Sequence, residues 1–246
     1  MNLLLVEAAE LAGDGTCTLA DRRAAHLRTV LGAEVGDRVR AGVVGGGVGS
    51  AEVLSDDGAA ITVRLAITDP APAPMPIELV LAVPRPKVLT RVVEAAAAFG
   101  VLRLDLTNAW RVDKSYLRSP RLAPEALALA ARLGAEQGAT THLPPIAVHE
   151  RLMALLDARW PGPPAVKLVA HPGGPPLEAA VPPGAAPIAL AIGPEGGWIA
   201  REVETFAARG FAPVSLGTPI LHVETAVAAA LGQLMMLHRR TGRCAP

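Results

Sequence analysis

The chain has 246 residues, 51% hydrophobic and only 3% aromatic, with 23 basic and 23 acidic side chains, so it can bury a full core and its total charge gives no sign of a nucleic-acid partner. Its two cysteines, Cys17 and Cys244, have no metal-ligand spacing, which fits a reducing compartment with neither a structural disulfide nor a metal site. There is no basic start followed by an apolar stretch and cleavage site, and no apolar run reaches the roughly 18 residues of a membrane span, so a cytoplasmic protein without a membrane partner is expected.

Short β-rich segments over 3–6, 37–44, 50–54 and 59–67 surround one helical segment over 21–31. They predict a small β-barrel or sandwich, residues 1–69, in which the glycines of 45–49 make a hairpin turn. That cluster is a poor dinucleotide fingerprint, because Ser50 stands where a third glycine is needed and a strand follows instead of a helix. Residues 70–76 alternate prolines from Pro70 to Pro76 and read as a stiff linker.

Beyond the linker, over 77–246, strand and helix alternate. Strands are expected over 77–83, 101–108, 146–148, 166–170, 188–192 and 213–216, and helices over 86–99, 124–137, 150–160, 200–208 and 224–240. Pro86 at a helix start and Gly100 just past its end match the usual asymmetry of helix termini. The class is α/β on a mainly parallel sheet, where ligands bind beyond the carboxyl ends of strands. Three loops stand at such ends: 171–174, 193–197 and 217–225.

The loop Gly193-Pro194-Glu195-Gly196-Gly197 has two readings: a sharp strand-to-helix turn with no ligand, or a main chain kept bare for close approach. Charge is unevenly spread. Between Arg85 and Arg121 stand eight basic and three acidic residues, a local net of +5, and Arg239, Arg240 and Arg243 follow near the end. Such a patch suits phosphate contacts or a solvated face. Trp110 and Trp198 are read as packing residues. The segment Trp110-Arg111-Val112-Asp113-Lys114-Ser115-Tyr116, two aromatics interleaved with two cations, stays open between an RNA surface and an ordinary loop. His142, His149 and His238 have no spaced partners and are read as packed or solvent-facing.

Taken together, His171-Pro172, then Ile192 to Gly197, then Leu216-Gly217 with Ile220-Leu221 and Glu224-Thr225-Ala226 resemble the RsmE-type 16S rRNA uridine N3-methyltransferases of the SPOUT superfamily. His26-Leu27 with Val35-Gly36-Asp37 looks like that family's PUA-like RNA-binding barrel, and Glu136-Gln137 matches an acidic-amide pair on a middle helix. The resemblance implies a trefoil-knotted α/β methyltransferase domain after the small barrel, S-adenosylmethionine as methyl donor, no metal, 16S rRNA of the small ribosomal subunit as partner, and a homodimer. It puts the donor against His171, Pro172, Ile192, Gly193, Glu195, Gly196, Gly197, Leu216, Gly217, Ile220 and Leu221. It puts His222, Glu224 and Thr225 near the transfer point, and the basic patch offers Arg85, Arg111, Lys114 and Arg118 as contacts to the RNA.

The sequence departs from the family in the last of these loops. Pro219 and His222 stand where the family pattern has two arginines, and 83–87 also differs from its commoner form. A fixed cation is lost and a group that titrates near neutrality is gained. Three readings therefore remain: a uridine N3-methyltransferase, a divergent relative acting on another RNA site, and an RNA-binding homologue that has lost transfer. An unrelated nucleotide-dependent enzyme is disfavoured, since no Gly-rich loop follows 77–83 and no GxxxxGK[ST] occurs.

Overall fold

The computed structural model describes residues 2–160 and 166–240, so Cys244 and Arg243 lie outside the described residues. The chain divides into two compact units, Met1–Pro74 with Arg132–Leu143, and Met75–Ala131 with Pro144–Pro246. Among the described residues no helix is long and apolar enough to cross a membrane.

In the first unit, strands β1 (Leu4–Val6), β2 (Thr16–Leu19), β3 (Arg38–Val43), β4 (Val48–Asp56) and β5 (Ile61–Asp69) form a curled sheet in the order β1-β3-β4-β5-β2, with helix α1 (Arg22–Thr29) between β2 and β3. All pairings are antiparallel except β1 with β3. Strand β2 was not expected; its four residues carry too short an apolar alternation to stand out. The apolar run 3–6 does not alternate because both of its faces are buried. Leu4 and Val6 join Leu19, Leu27, Val53 and Ile61, whereas Leu3 and Leu5 join Val48 and Ala135. The glycine cluster makes the β3–β4 turn and something more. A Cβ on Gly47 or Gly49 would overlap the β5 main chain at Asp69 and Ala66, so these glycines let two strands approach where their register shifts.

The second unit holds β6 (Met75–Ala82), α2 (Pro86–Ala98), β7 (Val101–Thr107), the part of α3 (Pro124–Gly138) before Arg132, β8 (Ile146–His149), α4 (Leu152–Arg159), β9 (Val166–Ala170), α5 (Leu177–Ala180), β10 (Ile188–Ile192), α6 (Ala200–Ala208), β11 (Ala212–Val214) and α7 (Val223–Arg240). Its sheet is wholly parallel in the order β11-β9-β10-β6-β7-β8. Strand β10 reads IALAI and is buried at all five positions, as a central parallel strand covered on both faces must be. Strand β6 begins inside the expected linker. Pro76 is tolerated there because pairing with β10 starts at Ile77 and the β7 register shifts between Met75 and Glu78.

The division expected from sequence differs from the units in two respects: residues 70–74 of the expected linker group with the first unit and 75–76 with the second, and Arg132–Leu143 groups with the first unit, so the division falls inside α3. Side-chain and main-chain bonds explain the second. The N–H groups of Asn2 and Leu3 both donate to the Glu136 carbonyl at 3.0 Å, and the buried Glu136 carboxylate takes a two-pronged bond from Arg22 at 2.6 and 2.8 Å. The matched acidic-amide pair is thus, in its acidic member, a structural tie.

From β6 the chain moves outward through β7 to β8, then returns on the other side of β6 to lay down β9 and β10. The sense of winding reverses between β6 and β10. This is where the carboxyl ends of an open parallel sheet leave a crevice.

Candidate functional site

A cavity of about 290 Å³ opens at that end of the sheet. Its walls come from the loops after β9 (Ala170, His171, Pro172), after β10 (Ile192, Gly193, Pro194, Glu195, Gly196, Gly197) and after β11 (Ser215, Leu216, Gly217, Pro219, Ile220, Leu221), closed by Val223 and Ala226 of α7. All eleven residues that the resemblance puts against the methyl donor line this one cavity. Sequence reading did not assign Ala170, Pro194, Ser215, Pro219, Val223 or Ala226 a place in the walls. Their only signal was adjacency to the three loops.

Each wall has a local cause. The His171 N–H donates to the Val214 carbonyl at 2.9 Å and Gly174 N–H returns to the His171 carbonyl at 3.0 Å, which folds the first loop against β11. In the second, Gly197 N–H closes a turn onto the Pro194 carbonyl at 2.7 Å, and Gly197 sits at φ 69°, a conformation that favours glycine. In the third, Ser215 Oγ bonds both main-chain groups of Gly217, and Gln233 of α7 donates to the Leu216 carbonyl at 2.9 Å. The walls are apolar at Ile192, Leu216, Leu221, Val223 and Ala226, while Ile220 is 82% exposed and forms a rim.

Glu195 is the cavity's one acid. Its Oε1 accepts from the Arg85 N–H at 2.9 Å, so the carboxylate ties the β10 loop to the residue that opens α2. Of the residues expected near the transfer point, none lines the cavity itself. His222 and Thr225 are exposed, and Glu224 forms an ion pair with Arg91 of α2 at 3.6 Å.

The four cations expected on RNA, Arg85, Arg111, Lys114 and Arg118, are all exposed. Arg111 is also engaged, because its Nη1 donates to the Gly196 carbonyl. The two tryptophans separate. Trp198 is packed as expected, edge to face with Phe206 at 4.9 Å. Trp110 is 79% exposed, contrary to the packing expected for it: its N–H is fixed by Glu202 of α6 at 2.8 Å, which holds the main chain and leaves the indole outside. His149 is packed against Asp105, with Nε2 at 2.8 Å from Oδ1. Among the described residues no group of three or more His, Cys, Asp or Glu side chains is placed to hold a metal.

Residues 71–235 match the profile of the RNA methyltransferase domain family. The chain belongs to that family. Within it the chain is of the RsmE type: it is 29% identical over 238 residues, 94% of its length and 89% of the relative's, to the ribosomal RNA small subunit methyltransferase E of Treponema pallidum (strain Nichols). Among solved structures, the same enzyme from Neisseria gonorrhoeae bound to S-adenosyl methionine superposes with a TM-score of 0.77 at 21% identity, covering 96% of this chain and 98% of the other. A methyltransferase of Legionella pneumophila in complex with its bound cofactor SAM gives a TM-score of 0.79 at 22% identity, covering 96% and 97%. The fold of this family member is accordingly a SPOUT-type α/β methyltransferase sheet following a PUA-like half-barrel.

Proposed function

We propose that this chain transfers a methyl group from S-adenosylmethionine to N3 of a uridine in the 16S rRNA of the small ribosomal subunit, acting in the cytoplasm as a homodimer. The observation that carries this reading is the cavity at the reversal point of the parallel sheet, lined by three loops whose glycines leave main chain bare. The residues present suit that donor. Bare main chain can meet the polar edge of a flat purine, Ile192, Leu216 and Leu221 supply apolar walls, and Glu195 sets one carboxylate at a site meant for a cationic molecule. When bound, the donor supplies an electrophilic methyl on a sulfonium, whose transfer needs no metal.

The rest is the work of this chain's residues. Uridine N3 carries a proton, so a base or a donor to the uracil oxygens must act on it while the ring is held in line. His222 is exposed between two residues that line the cavity, Leu221 and Val223, and we assign it contact with the base. Its imidazole can accept the N3 proton, or as imidazolium hold a carbonyl oxygen. Glu224 is committed to Arg91 and is assigned a positioning role at the start of α7, beside Thr225. Arg85, Arg111, Lys114 and Arg118 are assigned to RNA phosphates.

The test is calorimetry with S-adenosylmethionine, then transfer of labelled methyl to 30S particles and to free 16S rRNA, with the product nucleoside identified by mass. A product other than 3-methyluridine would break the assignment of N3. Donor binding with no transfer would favour a homologue that has lost transfer, a reading whose warrant is Pro219 and His222 at the positions of two family arginines. For the homodimer, light scattering at micromolar protein is expected to give twice the chain mass of 25.3 kDa, and a monomer mass would refute it.

A further inference from the structure

The loop that forms the cavity's second wall is held from outside by groups of other loops. Glu195 is bonded to the Arg85 N–H, at the end of the β6 connection. Glu202, in the first turn of α6, accepts from Ile199 N–H at 2.9 Å and from Trp110 N–H at 2.8 Å, which joins the end of the same loop to the β7 connection. Between these two, Arg111 lies along Gly196. A Cβ built on Gly196 would stand 3.0 Å from Arg111 Cδ, and the guanidinium reaches the Gly196 carbonyl through Nη1. Arg111 is thus the one cation expected on RNA that also bonds, through its side chain, a carbonyl of the cavity wall.

A guanidinium has five N–H donors in a planar fork. The bond to Gly196 uses the Nη1 edge, and the side chain is exposed, so the remainder of the fork is offered outward. A phosphate can take those donors without displacing the Gly196 carbonyl, and doing so fixes a long side chain that otherwise exchanges with water. We propose that Arg111 is a positioning residue that bridges RNA phosphate and the Gly196 carbonyl, so that RNA and methyl donor bind with positive coupling. This rests on the function proposed above. Linkage makes the effect reciprocal: whatever factor RNA adds to donor affinity, donor adds to RNA affinity.

The experiment measures binding of labelled S-adenosylmethionine by equilibrium dialysis to the full chain, alone and with saturating 16S rRNA transcript, for wild type, Arg111→Ala and Arg111→Lys. Wild type is expected to bind donor at least about fivefold more tightly with RNA, the lower end of ordinary coupling. Arg111→Ala is expected to weaken donor binding without RNA and to reduce the RNA effect below about twofold, at an unchanged melting temperature because the side chain is exposed. Arg111→Lys keeps the charge and is expected to retain RNA affinity, but a single ammonium lacks the flat fork and the coupling falls. Hydrogen exchange gives a readout independent of the donor: amides of 196–199 are expected to exchange faster in Arg111→Ala, and RNA is expected to slow them in wild type only. Wild type that binds donor but shows no RNA effect, or Arg111→Ala that keeps it, overturns the bridge and leaves the function standing. Wild type that binds no donor overturns both.

Discussion

Two regions of one sheet handle polar groups in opposite ways. At the carboxyl ends of β9, β10 and β11 the cavity has a single acid and much bare main chain. Across β6, β7 and β8 the same sheet carries four ionisable side chains that form one cluster with Arg159 of α4. Asp105, fully buried, takes Arg103 at 2.8 and 3.0 Å and His149 at 2.8 Å, with Arg159 Nε at 3.5 Å. Arg159 also pairs with Glu78 at 3.1 Å, and Trp160 Nε1 donates to that carboxylate at the same distance. A search for density of charge would choose the cluster. Yet its acids and cations already answer one another, although Arg159 Nε is buried without a hydrogen bond, and a charge that is paired has little to offer a ligand. The cavity offers unclothed backbone and apolar walls, which is what a small molecule uses.

The sharpest way to break this contrast is to remove the acid at the cluster's centre. Asp105→Ala leaves Arg103 and His149 without their acceptor in a largely buried setting, and a loss of about 3–5 kcal/mol is expected. Chemical denaturation measures it, and donor affinity of the protein that remains folded should be unchanged. A loss under about 1 kcal/mol, or a selective loss of donor binding, would move the cluster into the functional site.

The cavity side is tested by Gly197→Val. A β-branched residue at φ 69° costs about 1–3 kcal/mol if the turn is kept, and the turn is expected to refold instead. Donor affinity should fall at least about tenfold, equivalent to about 1.4 kcal/mol. Gly196→Val is the informative control, because Gly196 lacks the positive φ and its Cβ would meet the flexible Arg111 stem. Equal affinities for Gly197→Val and wild type would remove this loop from the donor site.

How much of this could be read in the sequence follows from the range of the forces involved. The strand 188–192 was placed to the residue, because a strand covered on both faces must be continuously apolar; 166–170 was also placed to the residue, although it carries the buried Lys167, whose ammonium donates to the Arg209 carbonyl at 3.1 Å. The three cavity loops were legible because glycine and proline act locally at strand ends. Asp105 was not picked out, since its meaning depends on Arg103, His149 and Arg159, three residues from three elements that only the fold assembles. The passage of Arg132–Leu143 to the first unit rests on bonds from Asn2, Leu3 and Arg22, more than a hundred residues away. Trp110 was misread because composition favours packing for a rare aromatic, whereas the Glu202 bond that fixes its main chain outward leaves no local mark.

A smaller effect is expected at the cavity's rim. Ile220 is 82% exposed, so Ile220→Ala should change stability by less than about 0.5 kcal/mol. If the donor covers it, binding should weaken about fivefold, corresponding to about 1 kcal/mol of apolar burial. Unchanged affinity would mean that Ile220 borders the cavity without closing on the ligand.

The smallest effect comes from the exposed counterpart of the buried cluster. Arg28 and Asp56 in the first unit form a two-pronged pair at 2.6 and 2.9 Å, with geometry as good as that of Arg103 and Asp105. The Arg28 bonds, aided by the Gly58 N–H, lower the Asp56 carboxyl from 3.8 to about 2. Because the folded value lies below the unfolded one, the pair's contribution is fully present above about pH 4 and is lost as pH falls through about 2. Solvent screens it, so the contribution is small. Asp56→Asn should lower the denaturation midpoint slightly at pH 7 and flatten its pH dependence between 4 and 2, with the two proteins converging at the acid end. If Asp56→Asn costs as much at pH 7 as Asp105→Ala, then pairing rather than burial sets the energetic weight of these acids.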